Sequence, residues 1–175
     1  MGRRKIPYSG AAVLFLLLVS FFIYSQISAQ NEGQLLQGDF IDILIQVMGY
    51  EDQLSLHPGE TPQEQGKNLL TSKGYAPWGG WYPTKMLTKG DVALVLAVAL
   101  GYMEKPVELA GNRELVIARA FDLLEANGIP VTSIPTGKPE DPLTEAQLAQ
   151  VINTASAATG GQINPYPEII SPTTE

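Results

Sequence analysis

The chain has no cysteine and a single histidine, His57, among its 175 residues. Without thiols there is no disulfide staple, no cysteine-ligated metal and no thiolate nucleophile. His57 sits in a His-Pro-Gly turn with no Asp or Glu cluster at metal-ligand spacing around it, so it reads as a surface residue. Gly-x-Ser-x-Gly, phosphate-loop, His-Glu-x-x-His and EF-hand patterns are all missing. Asp39 with Asp42, and Glu140 with Asp141, come nearest to an acid–base pair. Nothing in the sequence desolvates either. A non-enzymatic protein with no cofactor and no metal is the expectation.

Positive charge is also scarce, with 11 Lys and Arg against 18 Asp and Glu. Three of the 11 (Arg3, Arg4, Lys5) precede an apolar block, Ala11 to Ile23, which runs into Ile27-Ser28-Ala29. That is the layout of a secretory signal peptide over 1–29, cleaved after Ala29. The block, at 13 residues, falls short of the roughly twenty that span a bilayer. Contact with a membrane is therefore expected only through this segment, if it stays uncleaved. The mature chain sets eight basic residues against 18 acidic ones, a formal net charge of −10. Such a surface repels nucleic acid, and none is expected as a partner.

What the chain does have is helix punctuation. Thr61-Pro62-Gln63-Glu64 combines an N-cap, a first-position proline and a capping-box glutamate, and predicts a helix to Lys73, closed by Gly74. Thr88 and Asp91 form a second box, opening a wholly apolar run, Val92 to Leu100, that has to lie inside a core. Thr144 with Gln147 is a third, heading a helix over 145–158 that buries Leu148, Val151 and Ile152. A helix from about Leu36 to Met48 buries Phe40, Ile43, Leu44 and Val47, although Leu36 stands where a capping oxygen belongs. Asn112 to Asn127 is predicted to bury Leu115, Ala118, Phe121 and Leu124 or Leu123. The fold class expected is all-α: one compact domain of about five helices joined by long loops rich in glycine and proline.

These pieces recur at offsets of 52 to 56 residues. Leu35 to Tyr50 and Leu87 to Tyr102 share a leucine, a Gly-Asp pair, an apolar helix and a closing Gly-Tyr. Leu143 to Gly160 is a weaker copy, and Leu69-Leu70 with Gly74 matches Leu123-Leu124 with Gly128. The organisation is a half-unit, 35–50, then units 61–102 and 112–159, within a helical domain 30–159. The remainder, 160–175, is a tail rich in helix breakers, expected to be mobile or to lie against a partner.

The order Gly74-Tyr75, Gly80-Trp81-Tyr82-Pro83, Leu87-Thr88-Lys89-Gly90-Asp91-Val92, Ala99-Leu100-Gly101 resembles a module of the S-layer homology domain. Gly128-Ile129 with Pro142-Leu143-Thr144-Glu145-Ala146 resembles a second, and the likeness spans Leu35 to Thr159. It implies repeated helix–loop–helix units and non-covalent binding to a cell-wall polymer or peptidoglycan. Where family modules carry a groove arginine, this chain has Gln37, Lys89 and Glu145. The implied ligand site is therefore the groove at Lys89, shaped by Thr88, Asp91 and Trp81.

Trp78, Trp81 and Tyr82 suit stacking on a sugar or on a protein, and serve equally as a lid over the core. The function expected first is wall-glycan binding, and the alternative is an assembly subunit that binds an envelope protein through the aromatic loop and the tail. Both place the chain outside the cytoplasm, in the periplasm, the cell wall or at the cell surface. The half-unit at the start also raises completion by a second copy, as a homo-oligomer.

Overall fold

Helix starts follow the capping chemistry. The computed structural model describes residues 34–54, 59–104, 112–131 and 138–167, so the signal segment expected over 1–29, His57 and residues 168–175 lie outside the described residues. Within them are five α-helices: α1 (Gln37–Val47), α2 (Pro62–Lys73), α3 (Lys89–Ala99), α4 (Arg113–Ala126) and α5 (Glu145–Ala158). A 3-10 turn, Glu51–Gln53, follows α1, and the described residues hold isolated bridges but no strand.

All three threonine capping boxes form. Thr61 Oγ1 accepts the Glu64 N–H at 3.2 Å while the Glu64 carboxylate accepts the Thr61 N–H at 3.0 Å. Thr88 with Asp91, and Thr144 with Gln147, do the same. At α1 only half a box exists. The Asp39 carboxylate accepts the Leu36 N–H at 2.8 Å, but leucine has no side-chain oxygen to accept a bond in return. At the far end of α2, Gly74 takes φ +83° and lets the Tyr75 N–H reach the Leu70 carbonyl at 2.8 Å.

α3 is the centre of the molecule: all eleven of its residues are buried. α1 packs α2 on one side, where Gly66 meets Ile41 and Ile45, and α4 packs on α3, where Ile117 meets Gly90. The buried face of α4 is Val116, Ile117, Ala120, Phe121 and Leu124, whereas Leu115 is 70% exposed and Ala118 is also exposed. This corrects the expected face at Leu115 and Ala118, while Phe121 and Leu124 are buried as expected. Two apolar stripes one residue out of phase were available, and the one with paired bulky residues at 116/117 and 120/121 fits against α3.

Three short extended segments lead into α1, α3 and α5, and their backbones close a ring. The Leu87 N–H donates to the Leu35 carbonyl (2.8 Å), Leu143 to Leu87 (3.2 Å) and Leu35 to Leu143 (3.3 Å). Bridges Gln34 to Thr144, Leu36 to Met86 and Thr88 to Pro142 flank these bonds. Alternation along each segment turns Leu87 and Leu143 fully inward and leaves Leu36 and Met86 exposed. Residues far apart in sequence are thus fixed at one end of the helices.

Residues 160–167 are not loose, as the abundance of helix breakers suggested. They turn back along α5, with Ile163 buried to 1% exposure. Ser156 Oγ donates to the Ile163 carbonyl at 2.9 Å, and the Tyr166 N–H donates to Asn153 Oδ1 at 2.8 Å. The Asn164 N–H reaches across to the Val47 carbonyl of α1 at 2.7 Å. The breakers end α5 and then supply a strap over α5 and α1.

Candidate functional site

The ring gathers the starts of α1, α3 and α5, and with them Thr88, Lys89 and Asp91, whereas Trp78, Trp81 and Tyr82 lie on the loop between α2 and α3. The first helical residues of α1, α3 and α5 are Gln37, Lys89 and Glu145. Gln37 is fully buried. Its Nε2 donates to Asp91 Oδ2 at 3.0 Å and its Oε1 accepts the Tyr82 N–H at 2.9 Å. The side chain is a staple between the start of α1, the start of α3 and the aromatic loop.

Lys89 is neither a solvated lysine nor an open ligand site. It is 1% exposed, with its ammonium 3.9 Å from the Asp141 carboxylate, which is 27% exposed. Asp91 is 2% exposed and is used three times over, by the Thr88 cap, by the Thr88 backbone and by Gln37. Thr88 is half-buried in that cap.

The backbone around Lys89 is equally committed. An α-helix leaves its first N–H groups without partners, which makes a helix start an anion site. In α3 the Lys89 N–H donates to the Asp141 carbonyl (3.0 Å), Gly90 to Pro139 (2.8 Å), Asp91 to Thr88 Oγ1 (3.2 Å) and Val92 to the Thr88 carbonyl (3.1 Å). At α1, Gln37 and Gly38 donate likewise to Lys85 and Pro83. Glycine at the second helical position is what allows this: a Cβ on Gly90 would lie 3.1 Å from the Pro139 oxygen and 3.3 Å from Ile117.

The start of α5 differs in sign. Glu145 lies beside the Tyr166 phenol, which burial, then the Glu145 carboxylate and more distantly Asp39, push up to about 12. The hydroxyl is enclosed without closing a hydrogen bond of ordinary geometry. Asp42 on α1 is pushed up by burial and by Asp39, against a hydrogen bond from Gln63. Among the described residues no group of three or more His, Cys, Asp or Glu is placed to hold a metal.

The aromatic loop divides into inside and outside. Trp81 is 8% exposed, tilted at 58° against Phe40 with ring centroids 6.1 Å apart, and its indole N–H donates to the Tyr75 carbonyl at 2.9 Å. It is a lid on the core. Tyr82 is 58% exposed. Trp78 is half-buried in a turn that the Gly80 N–H closes onto the Pro77 carbonyl at 3.0 Å, with Gly79 at φ +85°. That turn and the end of α2 form an open pocket of about 390 Å³, lined by Thr71, Gly74, Pro77, Trp78 and Gly79 among others, and almost wholly apolar.

Two features were missed from the sequence. The Gln37 staple carries no motif, and an amide at the first position of a helix is ordinarily solvated. Gln65 on α2 is 5% exposed with both amide atoms unpaired, and its place in a polar stretch, Gln63 to Asn68, disguised its burial. Comparison with protein-family models, with curated proteins and with solved structures found no match to this chain.

Proposed function

We propose that the chain is a non-catalytic, exported cell-envelope module built of repeated helix–loop–helix units of S-layer-homology type, and that it serves as an assembly subunit by binding protein. The observation that carries this choice is the state of Lys89. The one cation at the three groove positions is buried against Asp141, and every first-turn N–H of α3 is spent within the fold. An anionic wall polymer meets neither an accessible charge nor unspent amides there, while the whole mature surface carries net negative charge.

The contact surface in this reading is the aromatic loop together with the tail. The Trp78 pocket offers apolar area and one side-chain hydroxyl, Thr71, which suits an apolar side chain better than the hydroxyls of a sugar. The ring of Leu35, Leu87 and Leu143 favours the second reading, wall-glycan binding, because three equivalent backbone positions are what repeated modules of that family imply.

Co-isolation from envelope extracts, with wild type beside Trp78→Ala and Tyr82→Ala, tests the choice. Loss of one defined protein partner in either variant supports assembly. Unchanged recovery of every partner, with binding to purified wall sacculi instead, supports the glycan reading.

A further inference from the structure

Of the three helices that start at the ring, two are covered by a helix from the same chain, α2 on α1 and α4 on α3. The third, α5, is covered by eight residues of irregular chain, 160–167. This strap is attached by a small set of contacts. Ile163 is its only fully buried side chain. Asn164 bonds α1 through its N–H to the Val47 carbonyl and through Nδ2 to the Gln46 carbonyl at 3.4 Å, and Tyr166 bonds Asn153 on α5. Its hinge is Gly160-Gly161, both at positive φ (64° and 87°), and a Cβ at either would meet no atom within 4 Å.

We propose that the surface between α5 and α1 is an exchangeable docking site whose trans occupant is the strap of a second copy. The occupant is argued from the strap already seated there: the contacts of Ile163, Asn164 and Tyr166 with α5 and α1 are available to the same segment of another chain, and only the bonds of the Gly160 and Gly161 N–H groups to Ala157 and Ser156 belong to the cis turn alone. Such an exchange needs only the hinge to straighten. The cis reversal is the strained state for any residue but glycine, because L side chains avoid positive φ. This inference rests on the assembly reading above and names one contact of that assembly.

The absence of native cysteine makes the test clean. Gln46→Cys and Asn164→Cys in one chain, oxidised, report the cis contact as an intramolecular disulfide. The two single variants, mixed as purified full chains and oxidised, report the trans contact as a covalent dimer joined 46 to 164, identified by mass. We expect the mixed dimer to form, and to rise about tenfold when Gly160→Ala and Gly161→Ala are added, since both disfavour only the cis turn.

Formation of the intramolecular disulfide with no mixed dimer at any protein concentration, glycine variants included, overturns the exchange. A mixed dimer that the glycine changes leave constant overturns the hinge as its control. Neither result touches the Trp78 pocket, whose co-isolation test stands separately.

Discussion

Lys89 shows how little a residue's type says about its role. A lysine in the first turn of a helix reads from sequence as solvated or as a ligand for anions, yet the side chain is buried beside Asp141, 52 residues away. Truncating it leaves a carboxylate facing a hole. Lys89→Ala is expected to cost about 2–4 kcal/mol of unfolding free energy, at the lower end because Asp141 keeps some water, and Lys89→Met is expected to recover most of that. Urea titration of both variants checks it, and equal losses would show that charge pairing, not volume, dominates.

Two carboxyls of opposite behaviour share the acid limb. Glu64 is held below its ordinary 4.5, first by the Thr61 N–H and then by the Thr61 hydroxyl. Its contribution is therefore present above 4.5 and is lost as pH falls through the lowered value. Asp42, raised by burial, works the other way, gaining stability as it takes up a proton. Glu64→Gln should reduce the stability lost as pH falls below 4.5, leaving the opposite slope of Asp42 less opposed, read by midpoint temperatures across the acid limb. An unchanged slope would put the acid sensitivity elsewhere.

At the scale of elements, punctuation was the legible layer. Thr61, Thr88 and Thr144 each announce a helix start through local hydrogen bonds among four residues, so no tertiary knowledge is needed to read them. Faces were harder. On α4, Leu115 and Val116 are neighbours of similar hydrophobicity, and only the shape of α3 decides which turns inward. The tail misled for a similar reason: glycine and proline exclude a helix but say nothing about docking as an extended strap.

Close helix contact is written in glycine. Gly66 sits where α2 meets α1, and a Cβ there would lie 2.9 Å from Ile41 Cγ2 and 3.3 Å from Ile45. Propensity alone favours alanine in a helix interior by about 1 kcal/mol. The clash is expected to outweigh that, so Gly66→Ala should lower stability by about 1–2 kcal/mol on balance. A thermal or urea midpoint that rises instead would mean that the two isoleucines repack without strain.

At the scale of the whole molecule, the recurrence of Leu35, Leu87 and Leu143 was visible in the sequence, and their closed ring of hydrogen bonds is its structural consequence. What the ring presents was not visible. Whether a groove between helix starts is open or filled depends on side chains such as Gln37 and Lys89 folding inward, a tertiary choice that spacing does not encode. The same architecture that places three helix starts together also consumes the polar groups of at least two of them.

Co-sedimentation of the purified protein with wall sacculi across a salt series tests this account most directly. The account predicts that the chain stays in the supernatant even at low salt, where attraction between a basic groove and an anionic polymer would be strongest. Pelleting that salt reverses, and that Lys89→Met abolishes in a folded protein, would contradict it and make the buried lysine a ligand-binding residue after all.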